Sequence, residues 1–303
     1  MFIQLVLLAL ATAIWGLTFP SGKVAVADFS PLWLNAIRYL IAGLASLPFF
    51  MKEKTFRKSW TELKKPMTAG FLLFLALYTQ TMGLKYTTVA KSSFITCLYV
   101  FMVPLFIAFG GKRFRKRFWS LVGMALLGVA MLCELKIENF NFGDFLTFLC
   151  VIACSLHIIY LDRVAKSWKS AFEFNGIQCL TLGGLALVLA LIFDGPTDFS
   201  PLWREGSLNH FSTLWAVFIL AIPAGMVAFA IQVHTQKTLS PHVASFIFLM
   251  ESPFAVLFGY LLIGEKLSAL ALGGCALITF SVALVSLFEH LEMRRQAKKK
   301  LAA

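Results

Sequence analysis

The chain has 303 residues, of which 59% are hydrophobic and only 14% are charged, and its mean hydropathy is +0.80. A soluble domain averages about 45–50% apolar and about 25% charged residues, so this composition excludes a soluble enzyme with one core. It also excludes a disordered chain, because disorder requires low hydrophobicity. The first prediction is therefore an all-α integral membrane protein that crosses the bilayer several times.

Lysine and arginine outnumber the acidic residues by 27 to 15, which gives a formal net charge of +12. In a soluble protein this excess would indicate a nucleic-acid partner. Here the basic residues lie in short runs between apolar stretches, which is typical of membrane orientation signals, so no nucleic-acid partner is expected. The six cysteines form no CxxC pair. Neither a zinc site nor a disulfide framework is indicated, and no cofactor is predicted.

Ten apolar runs, each of 17 residues or more, predict ten transmembrane helices. Such runs must be helical because unsatisfied backbone groups in hydrocarbon cost several kcal/mol each. The first run lacks a charged n-region and a small-residue cleavage site, so we predict a helix rather than a signal peptide. The predicted spans are Gln4–Pro20, Pro31–Met51, Met67–Leu84, Val89–Gly110, Phe118–Glu134, Gly143–Leu161, Ala171–Phe193, Phe211–Gln232, Pro241–Ile263 and Ser268–Phe288.

The basic residues are distributed unequally between the two sides of the membrane. Twenty lie in the loops after the second, fourth, sixth and eighth runs and in the C-terminal tail, six lie in the other loops, and Arg38 lies inside the second run. Cytoplasmic loops carry the excess of Lys and Arg. We therefore predict a multi-pass protein of the cell inner membrane, in contact with the lipid bilayer, with both termini cytoplasmic. The oligomeric state is left open.

Two stretches of the chain resemble each other. Gln80–Phe94 (QTMGLKYTTVAKSSF) and Gln232–Phe246 (QVHTQKTLSPHVASF) share Gln, Lys, Ser and Phe at the same spacing. A proline follows each stretch, at Pro104 and Pro253, and begins an apolar run that ends in a glycine-rich turn, GGKRF in the first half and GEKLS in the second. The similarity predicts an internal repeat with five helices in each half.

The predicted boundaries are a first five-helix repeat over residues 1–140, a second over 141–290 and a basic cytoplasmic tail over 291–303. Because five is an odd number, two equivalent halves must lie in the membrane with opposite orientations. Inverted repeats are common in secondary transporters, whose substrate site lies near the midplane between the halves. The repeat therefore predicts a carrier with a central cavity.

Several stretches are also similar to sequence elements of a known transporter family. They are Trp15-Gly16 with Phe19 in the first run, Asn35–Tyr39 (NAIRY) in the second, Gly83–Pro104 and Leu249–Lys266. In this order, and in two tandem copies, they resemble the EamA branch of the drug/metabolite transporter superfamily across nearly the whole chain. The resemblance implies ten helices around a central cavity and, in many members, export of amino acids or related metabolites. One departure is Lys112, where the second half has Glu265.

Glu251 is the first candidate for transport chemistry, because ionisable groups inside a membrane are costly and usually face the interior. It lies ten residues after Pro241, about 15 Å along a helix and so close to the midplane. Pro253 removes a helical hydrogen bond two residues later, so a kink is expected there. We predict that Glu251 couples transport to protons and contacts substrate. The alternative is a carboxyl group that holds helices together.

Arg38 is the second candidate, about 10 Å along the helix from the outer end of its span. Its guanidinium group can bind a substrate carboxylate, and Asn35, one turn earlier, is predicted to share its face. The alternatives are an ion pair with Glu251 that acts as a gate, or a side chain that extends to the outer surface. Lys23 either points inward from just past the first run or lies at that surface.

Trp15, Tyr78, Gln80 and Tyr99 complete the predicted substrate-binding set of Trp15, Asn35, Arg38, Tyr78, Gln80, Tyr99 and Glu251. Aromatic faces can hold an ammonium group by cation–π contact. The chain contains 31 phenylalanines, so aromatic content alone is not specific, and packing or lipid contact is the alternative for each ring.

The leading hypothesis is a secondary transporter that moves small organic solutes, amino acids or related metabolites or drugs, by alternating access. Efflux is the expected direction, and protons are a candidate coupled ion. The sequence contains no GxxxxGK[ST], which argues against a primary pump. Two alternatives stay open. A passive channel-like facilitator would show no countertransport, and an integral-membrane enzyme would form product in detergent, although no HExxH or GxSxG supports an enzyme.

Overall fold

The computed structural model describes residues 2–83, 86–87, 89–134, 140–203, 212–263 and 268–301. These ranges are helical and contain no strand. A π-helical segment, Leu220–Ala228, joins α11 to α12. The α-helices are α1 (Phe2–Gly16), α2 (Thr18–Asp28), α3 (Pro31–Ala45), α4 (Leu47–Glu53), α5 (Trp60–Gly83), α6 (Val89–Cys97), α7 (Tyr99–Phe109), α8 (Lys116–Leu132), α9 (Phe142–Val164), α10 (Ala171–Phe193), α11 (Thr213–Ile219), α12 (Phe229–Thr235), α13 (Pro241–Phe248), α14 (Glu251–Ile263) and α15 (Ala269–Leu301).

Six helical stretches within the described ranges are long and apolar enough to cross a membrane. A seventh is obtained if α3 and α4, which are bent by 40°, count as one span. The chain is therefore a multi-span membrane protein. The six stretches are Ile3–Asp28, Phe142–Ser167, Ala171–Phe193, Thr213–Thr235, Pro241–Leu261 and Ala269–Glu289.

The other three predicted spans are helical but less regular. α5 carries charged residues in its first turns and polar residues near its end, α6 and α7 are separated by a turn at Leu98, and α8 has only 17 residues. These helices are too short or too polar to meet the length and hydropathy expected of a helix that crosses a membrane. The count of ten spans stays a prediction.

One predicted helix end is wrong. The first helical stretch continues through α2 to Asp28 rather than ending at Pro20. Pro20 lies in the first turn of α2, where a missing N–H breaks no helical hydrogen bond. The last predicted span, Ser268–Phe288, agrees with the stretch Ala269–Glu289. α15 continues beyond it to Leu301, so the predicted basic tail begins as a continuation of the last helix.

The ninth predicted span is broken just before Glu251, and not at Pro253 itself. Pro253 has no N–H to donate to the carbonyl of Leu249, and its ring crowds that carbonyl. Ser252 N–H donates to the Leu249 carbonyl instead, at 3.1 Å. As a result α13 ends at Phe248 and α14 begins at Glu251, which places the acidic side chain at the break.

The helices of the two halves pack in a regular way. α3 packs against α10 and α8 against α15. α5 and the α6–α7 pair contact α9, while the stretch from α11 to α12 and the α13–α14 pair contact α1 and α2. If the first five predicted spans are exchanged, in chain order, for the last five, each of these contacts is converted into another contact of the same set.

The contact between α3 and α10 is unusually close. A Cβ atom added to Gly183 would lie 2.7 Å from the backbone nitrogen of Leu40, and one added to Gly43 would lie 2.6 Å from the Leu180 side chain. Small residues allow helix backbones to approach closely in a membrane. The neighbouring Gly184 differs, because nothing lies within 4 Å of an added Cβ atom there.

This difference predicts opposite outcomes for two adjacent substitutions. Gly183→Ala should destabilise the folded protein by about 1–3 kcal/mol, the usual cost of overpacking, because the obstructing atom is backbone. Gly184→Ala should leave stability unchanged or raise it slightly, because alanine is the better helix former. Thermal unfolding in detergent compares the two variants. Equal melting temperatures would show that α3 and α10 are not held at this distance.

Candidate functional site

Arg38 is held by a polar neighbour and not by an acid. Its Nε and Nη2 atoms donate to Asn35 Oδ1 at 3.1 and 2.6 Å. Asn35 is 1% exposed, and its Nδ2 donates to Thr81 Oγ1 on α5 at 3.4 Å. The described residues show no ion pair to Arg38, so the expected alternative of a pair with Glu251 is absent from this structure.

A series of five aromatic rings begins beside Arg38. Its guanidinium carbon lies 4.6 Å from the centre of the Tyr39 ring. Successive ring centres from there are 6.3, 5.0, 5.3 and 6.4 Å apart. The rings come from five different helices. We call this series the aromatic chain; in order, it consists of Tyr39, Phe229, Trp15, Phe248 and Tyr99.

Trp15 lies in the middle of the aromatic chain and is 8% exposed. Its indole Nε1 is buried and has no hydrogen-bond partner among the described residues. Gly16 beside it allows α1 to approach α14, because a Cβ atom there would lie 2.6 Å from Phe254 Cβ. Gly16 therefore holds α1 against the helix that starts at Glu251, and the residue before it carries a buried, unsatisfied donor.

Glu251 lies at the far end of the aromatic chain, in the neighbourhood of Tyr99, Cys97 and Cys150. The next residue, Ser252, is 3.5 Å from Cys97 through Oγ and Sγ. No ion pair to Glu251 occurs in the described part of the chain. Among the described residues, two ionisable side chains, Arg38 and Glu251, thus lie inside the bundle without an ion-pair partner.

The remaining predicted residues have other partners. Gln80 Nε2 donates to Thr96 Oγ1 at 3.2 Å, which ties α5 to α6. The Tyr78 ring stacks on Phe74, with centres 5.6 Å apart, and packs against the core between α3 and α10. The structure therefore joins Asn35 to Arg38 and Trp15 to Tyr99, but it does not place Gln80 or Tyr78 in direct contact with them.

Some predicted features lie outside the described residues. They are the side chains of Phe19, Lys23 and Ser93, together with Lys85 and the glycine-rich turn that includes Glu265.

Two ring residues of the site were missed by sequence reasoning. Phe248 connects Trp15 to Tyr99, and its position three residues before Glu251 was a usable signal. Phe229 connects Trp15 to Tyr39, and nothing distinguished it among the 31 phenylalanines. Its role depends on the π-helical segment that precedes it, which sequence spacing does not indicate.

The end of the bundle that holds Asp28, Asp144 and Asp194, here called the outer end, is closed by side-chain contacts. Asp144 Oδ2 lies 2.7 Å from Lys91 Nζ, and Thr87 Oγ1 donates to its Oδ1 at 2.5 Å. The Asp144 carboxylate also caps α9. Because Lys91 belongs to α6 and Asp144 to α9, this buried ion pair joins the two halves of the chain.

Three further hydrogen bonds join helices at the outer end. Ser30 Oγ donates to Asp194 Oδ2 at 2.5 Å, and Trp33 Nε1 donates to the Gly195 carbonyl at 2.9 Å. Thr213 Oγ1 donates to Asp28 Oδ2.

The opposite end carries the basic loops and is less uniformly closed. Thr55 Oγ1 donates to Glu173 Oε1 at 2.5 Å, and Lys58 lies 3.4 Å from the same carboxylate, so α10 is tied to the segment after α4. Lys237 Nζ donates to the Trp168 carbonyl at 2.8 Å. A cleft of about 470 Å³ is left between the ends of α7 and α9 and the start of α13.

This arrangement of helices agrees with the comparison against known families. The model of the EamA-like transporter family matches residues 2–133 and, separately, residues 141–287. The chain belongs to the EamA-like transporter family.

Related transporters match over most of the EamA-family chain. An uncharacterized transporter of Archaeoglobus fulgidus is 30% identical over 92% of this chain and 84% of its own. The uncharacterized inner membrane transporter YedA of Escherichia coli is 26% identical, with 92% and 89% covered. The uncharacterized transporter YvbV of Bacillus subtilis is 24% identical, with 92% and 90% covered. These names support a membrane transporter and point away from an enzyme.

A crystal structure of another protein shares the fold. The two structures superpose with a TM-score of 0.75 over 96% of this chain and 99% of that chain, at 19% sequence identity. At this identity the likeness concerns the fold alone.

The ion pair between Lys91 and Asp144 predicts a large stability effect. Asp144→Asn removes the negative charge of this pair and should destabilise the protein by about 3–5 kcal/mol, as expected when one partner of a buried pair is lost. The matched control is Asp162→Asn on the same helix, which removes a more exposed pair with Lys166 and should change stability by less than about 1 kcal/mol. Similar unfolding temperatures for both variants would contradict the assignment of the outer-end contact.

Proposed function

We propose that this EamA-family protein is a secondary carrier that exports small organic solutes bearing a carboxylate, such as amino acids or related metabolites, by alternating access. The observation that carries the proposal is Arg38. It is a half-buried cation on a membrane-embedded helix, oriented by Asn35 and without an acidic partner among the described residues.

An isolated charge inside a membrane is costly, and such residues usually mark a substrate or ion pathway. Asn35 accepts from two of the guanidinium nitrogens, which fixes the plane of the group. Guanidinium groups bind carboxylates in a two-pronged geometry that a lysine cannot reproduce. We therefore assign the carboxylate of the substrate to Arg38.

The aromatic chain supplies the rest of the proposed site. Its ring faces favour the organic part of the substrate and can hold an ammonium group by cation–π contact. The unsatisfied Nε1 of Trp15 is a hydrogen-bond donor available to a polar solute. Glu251 is assigned to proton coupling, because a carboxyl group at a helix break can exchange a proton with water or substrate.

Alternating access requires two halves that can move against each other. We propose that residues 1–140 and 141–290 are inverted five-helix repeats. Two observations support this: the family model matches twice, and the helix contacts are exchanged among themselves when the halves are exchanged. The basic tail over 291–303 is assigned to the cytoplasmic side.

The inner membrane is the proposed location, with both termini in the cytoplasm. The distribution of basic residues supports this orientation, and a relative is named an inner membrane transporter. Export is the proposed direction, since proton entry through an antiporter would drive the solute outward.

Transport measurements in liposomes test the assignment of Arg38. We expect Arg38→Gln to weaken transport of a carboxylate solute by about 10- to 100-fold, the value of a hydrogen bond between charged groups. The sharpest comparison pairs an amino acid with its primary amide, which lacks only the carboxylate charge. An equal loss for both solutes would assign Arg38 to structure rather than to substrate.

Glu251 is tested by separating exchange from accumulation. Glu251→Gln should abolish solute accumulation driven by an imposed pH gradient, while exchange of labelled for unlabelled solute continues, because exchange needs no net proton movement. Glu62→Gln, on the surface near the start of α5, is the control and should retain both activities. A Glu251→Gln variant that still accumulates solute in response to the pH gradient would remove this residue from coupling.

A further inference from the structure

Two cysteine thiols of α9 are in contact near the middle of the helix. Cys150 and Cys154 are one helical turn apart, and their Sγ atoms are separated by 3.8 Å. Both are free thiols. Residues four positions apart on a helix have Cβ atoms about 5–6 Å apart, whereas a disulfide needs a separation of about 3.5–4.5 Å. The helix therefore keeps the two sulfur atoms close but opposes a direct bond between them.

The exposed surface of Cys154 faces the inside of the bundle. Cys154 is partly exposed, although its neighbours one turn before and after, Cys150 and Ile158, are 0% and 4% exposed. The large exposed side chains of α9 include Phe145 and Leu156, which are 46% and 43% exposed. At 3.6 residues per turn, they lie about 160–180° around the helix axis from Cys154. The exposed part of Cys154 therefore borders an internal space rather than lipid.

This internal space adjoins the site around the aromatic chain. Cys154 lies in the electrostatic neighbourhood of Tyr39 and of Tyr99, which are the two ends of that chain. Cys150 lies in the neighbourhood of Glu251 in the same way. A small solute that enters the proposed site therefore comes within reach of the thiol pair.

The chemistry of the pair favours a neutral trivalent centre over a metal ion. Structural zinc takes four protein ligands, and the described residues include no group of three or more His, Cys, Asp or Glu side chains that could hold a metal ion. A soft monovalent cation between two thiolates leaves a net negative charge, which is costly to bury. Trivalent arsenic bonded to two sulfur atoms keeps one further substituent and is neutral. Two bonds of about 2.3 Å, the length of a zinc–sulfur bond, bridge sulfur atoms that are 3.8 Å apart.

We propose that Cys150 and Cys154 form a dithiol site that captures trivalent arsenicals from the internal space. With a reagent of the type R–As=O, two As–S bonds form, while two S–H bonds and the As=O bond break. The oxygen leaves as water with both thiol protons, and arsenic stays trivalent, so no oxidant or reductant is required. This capture goes beyond the proposed transport function. Its expected consequence, obstruction of the solute pathway by the added group, rests on that function.

Intact-protein mass spectrometry in detergent measures the capture directly, with phenylarsine oxide as the probe. We expect the natural protein to retain the adduct in the presence of the monothiol 2-mercaptoethanol and to lose it to the dithiol 2,3-dimercaptopropanol. The physical reason is that the second As–S bond closes within one molecule, which raises the affinity about 10²–10⁴-fold over a single bond.

Variants separate this pair from the other cysteines. Cys150→Ala and Cys154→Ala should each bind phenylarsine oxide at least about 100-fold more weakly. Cys133→Ala/Cys275→Ala, which removes two thiols outside the pair, should bind it as the natural protein does. Unchanged binding by both single variants would overturn the proposal. So would a natural protein that forms no adduct, or one whose adduct is removed equally by the monothiol and the dithiol. These last two results come from the natural protein, so they do not depend on the folding of a variant.

Transport in liposomes tests the consequence separately. Phenylarsine oxide should abolish solute transport by the natural protein, the dithiol should restore it, and Cys154→Ala should keep its own rate in the presence of the reagent. Capture without inhibition would place the dithiol site away from the solute pathway. Because the mass measurement needs no transported solute, failure of the proposed transport function is distinguishable from failure of the capture.

Discussion

The close packing of α3 against α10 is the constraint on which the site depends. Gly43 and Gly183 remove the side chains that would separate the two helices, and the ends of the pair are tied by the Ser30–Asp194 and Thr55–Glu173 contacts. Asn35 is almost fully buried as a result, so its carbonyl oxygen meets the guanidinium group of the same helix rather than water. The same α10 also holds the π-helical segment, because Asn175 Nδ2 donates to the carbonyls of Gly225 and Met226 at 2.9 and 3.0 Å. One helix thereby sets the positions of Arg38, Tyr39 and Phe229.

Interrupted helices explain how charged and polar groups reach the interior of the bundle. Backbone groups freed inside a membrane must find partners within the protein. Asn175 provides them for the π-helical segment, and the Ser252 amide provides one for Leu249. The break before α14 has a further consequence for Glu251, which becomes the first residue of a helix.

Much of this architecture follows from the sequence, because hydropathy reports directly on membrane insertion. The apolar runs predict the multi-span class, the motifs predict the family, and Asn35 is correctly placed on the face of Arg38. The helix breaks are less predictable. Pro253 indicates a distortion, but the position of the break depends on which carbonyl the proline crowds, four residues earlier. The role of Phe229 is hidden for a similar reason, since π-helical geometry changes the face on which a residue lies. The Lys91–Asp144 pair joins residues 53 positions apart across two halves, and no local pattern signals it.

Each end of the bundle is held by an ion pair between the two halves, which bears on how the proposed carrier would move. At the outer end the pair is Lys91–Asp144, and at the basic end Lys58 pairs with Glu173, with an open cleft elsewhere at that end. Separating Lys91 from Asp144 in a dry interior would break a close ion pair, at a cost of about 3–5 kcal/mol. Water that enters as the helices part hydrates both charges, and the cost then falls toward that of an exposed pair, about 0–1 kcal/mol. In the proposed cycle, the free-energy barrier to opening the outer end therefore depends on how early water reaches Asp144. Hydration of that residue determines the barrier more than the strength of the ion pair does.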